Sequence, residues 1–221
     1  MKNWRKRQRE VLERSLERLI DCGLTDGFYL TGGTALFFRY GHRPSEDLDF
    51  FSLPEKAEEN FPAQRLFRKL SGIGKVELHT EDTVIAEVEG VMVSFFSYPY
   101  PLLEPPCPLE IAEGKTVWSA SDADIAASKL IAVAHRGAKK DFFDLHFLLE
   151  KNRWSIEYLL SLCRRKYSLT ECHQGFLIKA LTYFEDAEGE KTIGISHTEW
   201  EKVKDYFREQ VKRLCSIPPQ P

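Results

Sequence analysis

Two aspartates, Asp47 and Asp49, stand one residue apart in "RPSEDLDFF", and a glycine pair with a threonine, Gly32-Gly33-Thr34, comes twelve residues before them. Side chains alternate across a strand, so a strand through this stretch puts both carboxylates on one face and turns Leu48 and Phe50 to the core. Carboxylates that close repel unless a cation lies between them. Oxygen-only ligands suit Mg²⁺, with Mn²⁺ as an alternative, because such an ion keeps several waters and completes its shell with substrate phosphates. Exposed strand-end aspartates with no ligand are the bland alternative, and the pair alone leaves it open. The glycines add a second signal. Between a strand and a helix they let backbone N–H groups approach a ligand, and the helix N-terminus favours phosphate. Thr34 could cap that helix or donate to a phosphate oxygen. A phosphate cradle beside a metal pair is the combined reading.

A second group lies in "SKLIAVAHRGAKKDFFDLHFLL". In a helix from Asp122 to about His135, Lys129 has Ile125, Ala126, Ala132 and Val133 as its neighbours at i−4, i−3, i+3 and i+4. A lysine so surrounded either extends its ammonium to water or meets an anion in a pocket. Asp141 and Asp144, three apart near a helix start, share a face. For Asp144 the expected role is structural, as a dipole partner or cap of the first turn.

The elements that position these groups divide the chain in two. A first helix is expected over Trp4 to Asp21, followed by the strand "FYL", the glycine turn and a second helix, and the strand "DLDFF". A helix over 54–72 precedes three β-like runs, "KVELHT", "TVIAEVE" and "VMVSFFSY", the last two joined by a turn at Glu89-Gly90. The prolines of "PYPLLEPPCPLE" exclude a helix or a central strand, which makes this stretch a linker or cover loop. Ser121 and Asp124 have capping-box spacing, and helices are expected to about His135, then over Lys140 to Lys151, Ser155 to Lys166, Glu171 to about Ala187 and Thr198 to Leu214. The fold class is therefore α+β: a mixed-sheet domain over 1–105, then a helical domain over 106–221 that carries the second group.

Composition bounds the rest. The chain has 221 residues, 43% of them hydrophobic, and a net charge of −3, which excludes a globally basic nucleic-acid binder but leaves room for a local patch. The basic residues of Lys2 to Arg9 and the run Arg164-Arg165-Lys166 are the candidates for RNA backbone contact, against the ordinary reading of solvated helix ends. The five cysteines show no zinc spacing, and neither do the six histidines. Reduced thiols and a cytoplasmic location are expected, with no membrane segment. Phe95, Phe96, Tyr98 and Tyr100 are read as packing the sheet and its linker.

The two motifs together resemble the AbiEii/AbiGii toxin family within the polymerase β-type nucleotidyltransferases, over about Phe28 to Leu149. The resemblance implies a polymerase β-like fold and a Mg²⁺-dependent enzyme that moves a nucleoside monophosphate from a triphosphate to an acceptor. It implies metal binding by Asp47 and Asp49 and triphosphate binding by Gly32, Gly33, Thr34, Arg43, Ser45 and Lys129. Asp141 is given a metal-linked or general-base role. The implied acceptor is an RNA, with tRNA 3′ ends foremost, and the implied partner a separately encoded antitoxin. Arg43 has an alternative as a surface residue. One position departs from the pattern: Ser94 stands where such enzymes carry a third carboxylate. Either Asp141 replaces it, or Glu87 or Glu89 reaches in, or transfer to a 3′-hydroxyl is lost. A non-catalytic nucleotide-binding module, and transfer to a protein or small-molecule hydroxyl, are the alternatives kept.

Overall fold

The computed structural model describes residues 2–54, 61–190, 192 and 194–216, with the side chains of 2–5 and 171 outside the description. The chain forms two compact units, Met1–Ser121 and Asp122–Pro221.

In the first unit, helix α1 (Lys2–Asp21) buries Leu12, Leu16 and Leu19 completely, the i, i+4, i+7 stripe that its sequence presents. Strand β1 (Phe28–Thr31) runs into α2 (Gly32–Tyr40), and β2 (Leu48–Ser52) follows. After α3 (Ala63–Ser71) come β3 (Lys75–His79), β4 (Thr83–Val88), β5 (Val91–Phe96), β6 (Cys107–Ala112) and β7 (Lys115–Ser119). Among the described residues these strands make one mixed sheet of seven, in the order β3-β4-β5-β2-β1-β7-β6. The β2–β5 and β1–β7 pairs are parallel and the remaining neighbours antiparallel. One face holds the core: Leu48, Phe50, Val93, Phe95, Val84 and Ala86 are wholly buried, with Phe50 stacked on Phe95 at 5.0 Å. Glu89 and Gly90 both take positive φ, +54° and +76°, in the two-residue turn between β4 and β5, as the sequence predicts.

The second unit is helical: α4 (Asp122–Arg136), α5 (Lys139–Asn152), α6 (Ile156–Tyr167), α7 (Glu171–Ala180), the single turn α8 (Glu185–Glu188) and α9 (His197–Ser216). Phe142 of α5 is fully buried, against the rings of Phe184, Trp200 and Phe207. The Lys166 ammonium lies 2.6 Å from the Asp124 carboxylate, both side chains almost wholly enclosed.

Several expectations need correction. The boundary falls at Ser121, not at 105, because residues 107–119 form a hairpin that joins the sheet beside β1. Pro108 sits within β6, and β6 is an edge strand, the place in a sheet where the missing N–H is tolerated. The helix expected over 171–187 breaks after Ala180 and resumes as α8. Lys166 is only 2% exposed, so it drops out of the basic run, and Asp124 serves as its counter-charge. Of the helix expected over 54–72, residues 55–60 lie outside the described residues, as do the side chains of Lys2 and Arg5.

Candidate active site

The glycine turn follows directly from backbone geometry. Thr31 is extended, and Gly32 takes φ +68°, a conformation that costs a side chain about 1–2 kcal/mol. That turn starts α2 directly at the end of β1, so the unpaired first N–H groups of the helix lie there. Gly41, at φ +60°, ends the helix by donating its N–H to Phe37.

Strand register places Asp49 beside this turn. It pairs with Thr31 on β1 and with Ser94 on β5, so the three side chains share one sheet face. Burial alternates along β2, with Leu48 and Phe50 inside and Asp49 half-buried, as the sequence predicts. A Cβ placed on Gly32 would lie 3.4 Å from Asp49 Oδ2, so the turn and this carboxylate are direct neighbours. Asp47 lies one residue ahead of β2 and is exposed.

A polar tie fixes the segment between α2 and β2. Thr34 Oγ1 lies 2.6 Å from Ser45 Oγ and hydrogen-bonds the Asp47 carbonyl. That carbonyl can only accept, so it takes the single Thr34 proton and the Ser45 hydroxyl donates to Thr34. The Ser45 carbonyl accepts from Gln8 of α1 at 3.1 Å. Thr34 thus holds the backbone that carries Asp47, and the N-cap position of α2 belongs to Thr31, whose side chain makes no cap bond. Arg43 is buried, with Nη1 donating to the Pro44 carbonyl at 2.7 Å, which overturns its reading as a surface residue.

In the second unit, Lys129 meets anions supplied by the protein itself. Its ammonium is 2.8 Å from Asp141 Oδ1 and 2.6 Å from Asp144 Oδ2, and both carboxylates are fully buried. Arg136 grips Asp141 through Nε at 2.7 Å and Nη2 at 2.9 Å, while its side chain stays 57% exposed. Burial alone would raise the Asp141 carboxyl; the Lys129 charge and the Arg136 hydrogen bonds outweigh it and hold the group below its ordinary value. Asp144, expected as a dipole partner or cap of the first turn, is instead a buried counter-charge of Lys129. Arg136 was missed because an arginine in a last helical turn reads as a dipole partner. Its spacing to Asp141 across the Gly137 turn was the available signal.

Asp47 and Asp49 offer an all-oxygen donor set, with Asp49 next to the Gly32 turn, and this chemistry fits a hard divalent cation completed by water and phosphate. Among the described residues no group of three or more His, Cys, Asp or Glu side chains gathers at ligand spacing.

Residues 14–213 match the family described as nucleotidyl transferase AbiEii toxin, type IV toxin-antitoxin system. The chain belongs to the AbiEii nucleotidyltransferase toxin family. It is a nucleotidyltransferase, and the reaction common to such enzymes is transfer of a nucleoside monophosphate from a nucleoside triphosphate. The chain is similar to a protein of Aquifex aeolicus (strain VF5), called uncharacterized protein aq_aa25, 42% identical over 96% of this chain and 98% of its own. The AbiEii chain also shares its fold with MenT4, a nucleotidyltransferase toxin from Mycobacterium tuberculosis H37Rv. That match has a TM-score of 0.57 at 16% identity and covers 96% of this chain and 90% of the other. No helix among the described residues is long and apolar enough to cross a membrane.

Proposed function

We propose that this AbiEii-family chain is a Mg²⁺-dependent toxin that transfers a nucleoside monophosphate to an RNA, with a tRNA 3′ end as acceptor, and that a separately encoded antitoxin counters it. The observation that carries the reading is the register that sets Asp49 beside the Gly32 turn, so that an anion cradle and a carboxylate share one end of β1. In the transfer, the acceptor oxygen bonds to the α-phosphorus, the bond from that phosphorus to the β-bridging oxygen breaks, pyrophosphate leaves and the hydroxyl proton passes to water. Asp47 and Asp49 would hold Mg²⁺, which when bound would supply positive charge against the phosphoryl oxygens. The N–H groups of Gly32 and Gly33 hold phosphate. Thr34 and Ser45 keep the Asp47 backbone in place, and Arg43 braces the same segment. Lys129 is assigned to the triphosphate and Asp141 to the acceptor step. The ion pair between them supports the view that Asp141 also fixes the Lys129 ammonium.

The choice of RNA rests on the family resemblance that the two motifs carry. The test is a labelling reaction with each α-labelled triphosphate in turn, Mg²⁺ and total bacterial RNA, beside an Asp47→Ala, Asp49→Ala double variant. Label on a small RNA from the native chain alone, lost when Mg²⁺ is chelated, is the expected result. Label on a protein or a small molecule would overturn the RNA assignment. Transfer by the double variant would overturn the metal assignment.

A further inference from the structure

Enzymes that clamp a phosphoryl group with two metal ions hold them about 3.5–4 Å apart. Two such cations carry four positive charges, shared between the substrate phosphates and the protein carboxylates that hold each ion in place. In this chain the face that carries Asp49 supplies hydroxyls on both sides of it, from Thr31 on β1 and Ser94 on β5. Both are buried, at 4% and 6% exposure, and neither ionises near neutral pH.

The three ways of replacing a third carboxylate can be weighed on the geometry. Glu87 shares the face but lies on β4, opposite Met92 and two residues beyond Ile85, which is the residue that faces Ser94. That is two strand spacings and two residues from Asp49, about 12 Å from Cα to Cα. Strand side chains stand roughly perpendicular to the sheet, so the two carboxylates remain about that far apart. Glu89 is farther still, in the turn beyond Val88, with φ +54°. Asp141 has both oxygens engaged, Oδ1 by Lys129 and Arg136 and Oδ2 by Arg136, and it is fully buried. Detaching it to ligate a metal would strip a buried lysine of one of its two counter-charges.

We propose that the site at Asp47 and Asp49 holds one divalent cation per bound triphosphate, because Ser94 occupies the position where a carboxylate would hold a second. The inference rests on the nucleotidyl-transfer reading and adds the cation count to it.

The experiment counts Mn²⁺ by electron paramagnetic resonance in the native chain. The nucleotides are the four α,β-methylene triphosphate analogues, used one at a time, with nucleotide binding measured separately by calorimetry. One Mn²⁺ per bound nucleotide is expected in the native chain, and two are expected after Ser94→Asp restores a carboxylate beside Asp49. Two in the native chain would overturn the inference and point to Asp141 leaving its ion pairs. If none of the analogues binds, the transferase reading itself fails and the inference fails with it. The native count decides the question even if Ser94→Asp proves unstable.

Discussion

Replacing Lys129 by methionine keeps the volume of the side chain and removes its charge from between Asp141 and Asp144. At an effective dielectric constant of 20, separations of 2.8 Å and 2.6 Å correspond to a gross attraction of about 6 kcal/mol for each contact. Most of that offsets the several kcal/mol per ion needed to take these groups out of water. After the substitution the desolvation cost of the carboxylates remains. Arg136 still holds Asp141, but Asp144 loses the ammonium, and removing one partner of a buried pair costs about 3–5 kcal/mol. For a chain of this size each kcal/mol moves the midpoint by roughly 2–4 °C, so Lys129→Met is expected to lower Tm by roughly 6–20 °C. Scanning calorimetry measures the shift. Hydrogen exchange of peptides from α4 and α5 should show faster opening of that helix pair. Adding Asp144→Asn to Lys129→Met should recover part of the loss, since the stranded charge is then gone. A Tm within about 2 °C of the native value would refute the reasoning, and would mean that Lys129 is not the counter-charge of this cluster.

The same cluster sets a response to acid. The Asp141 carboxyl is held below its ordinary value of 3.8, so it contributes stability that is fully present above that pH and is lost as pH falls through the lower folded value. Asp141→Asn should therefore flatten the acid limb of a stability-versus-pH curve measured by urea unfolding between about pH 5 and pH 2; an unchanged limb counts against the assignment. Gly32→Ala forces a side chain into φ +68° and sets its Cβ 3.4 Å from Asp49 Oδ2. It should cost about 1–2 kcal/mol of stability and weaken Mn²⁺ binding as well, and an unaltered Mn²⁺ titration would show that the turn does not shape the cation position. Burial pushes the Cys163 thiol up to about 12, against the pull of the nearby Lys166 charge. In timed alkylation with mass analysis the exposed Cys172 and Cys215 should react in the folded chain, and Cys163 only after denaturant is added.

What could be read in the sequence was local. Alternation in "LDFFS" gave the face of Asp49, and the Glu89-Gly90 pair gave its hairpin, since both depend on neighbours along the chain. The β6–β7 hairpin carries a similar Glu113-Gly114 signal, but the prolines before it concealed the strand, and only the pairing of β7 with β1 shows that Pro108 stands at an edge. Likewise the apolar helical neighbours of Lys129 posed the right choice, water or an anion. The answer required the fold of α5 back along α4, which brings Asp141 and Asp144 to one ammonium. Asp124 and Lys166, forty-two residues apart, look like a cap and a surface base until tertiary packing joins them. The flanking of Asp49 by Ser94 follows the expected strand alignment, which is why the departure at that position was visible before the structure.

An open sheet ends in two strands whose outer backbone groups could template pairing with another chain. At one end, β3 is interrupted by a register shift between Val76 and Leu78 and carries the Lys75–Glu77 ion pair. At the other, Pro108 deletes a donor from β6 and a second shift falls between Glu110 and Ala112. Neither border offers a long, flat row of hydrogen-bonding groups. The proline that obscured the hairpin in the sequence is thus part of what keeps copies of the chain from joining sheet to sheet, so that Pro108→Thr should raise the tendency to aggregate more than it alters the folded unit.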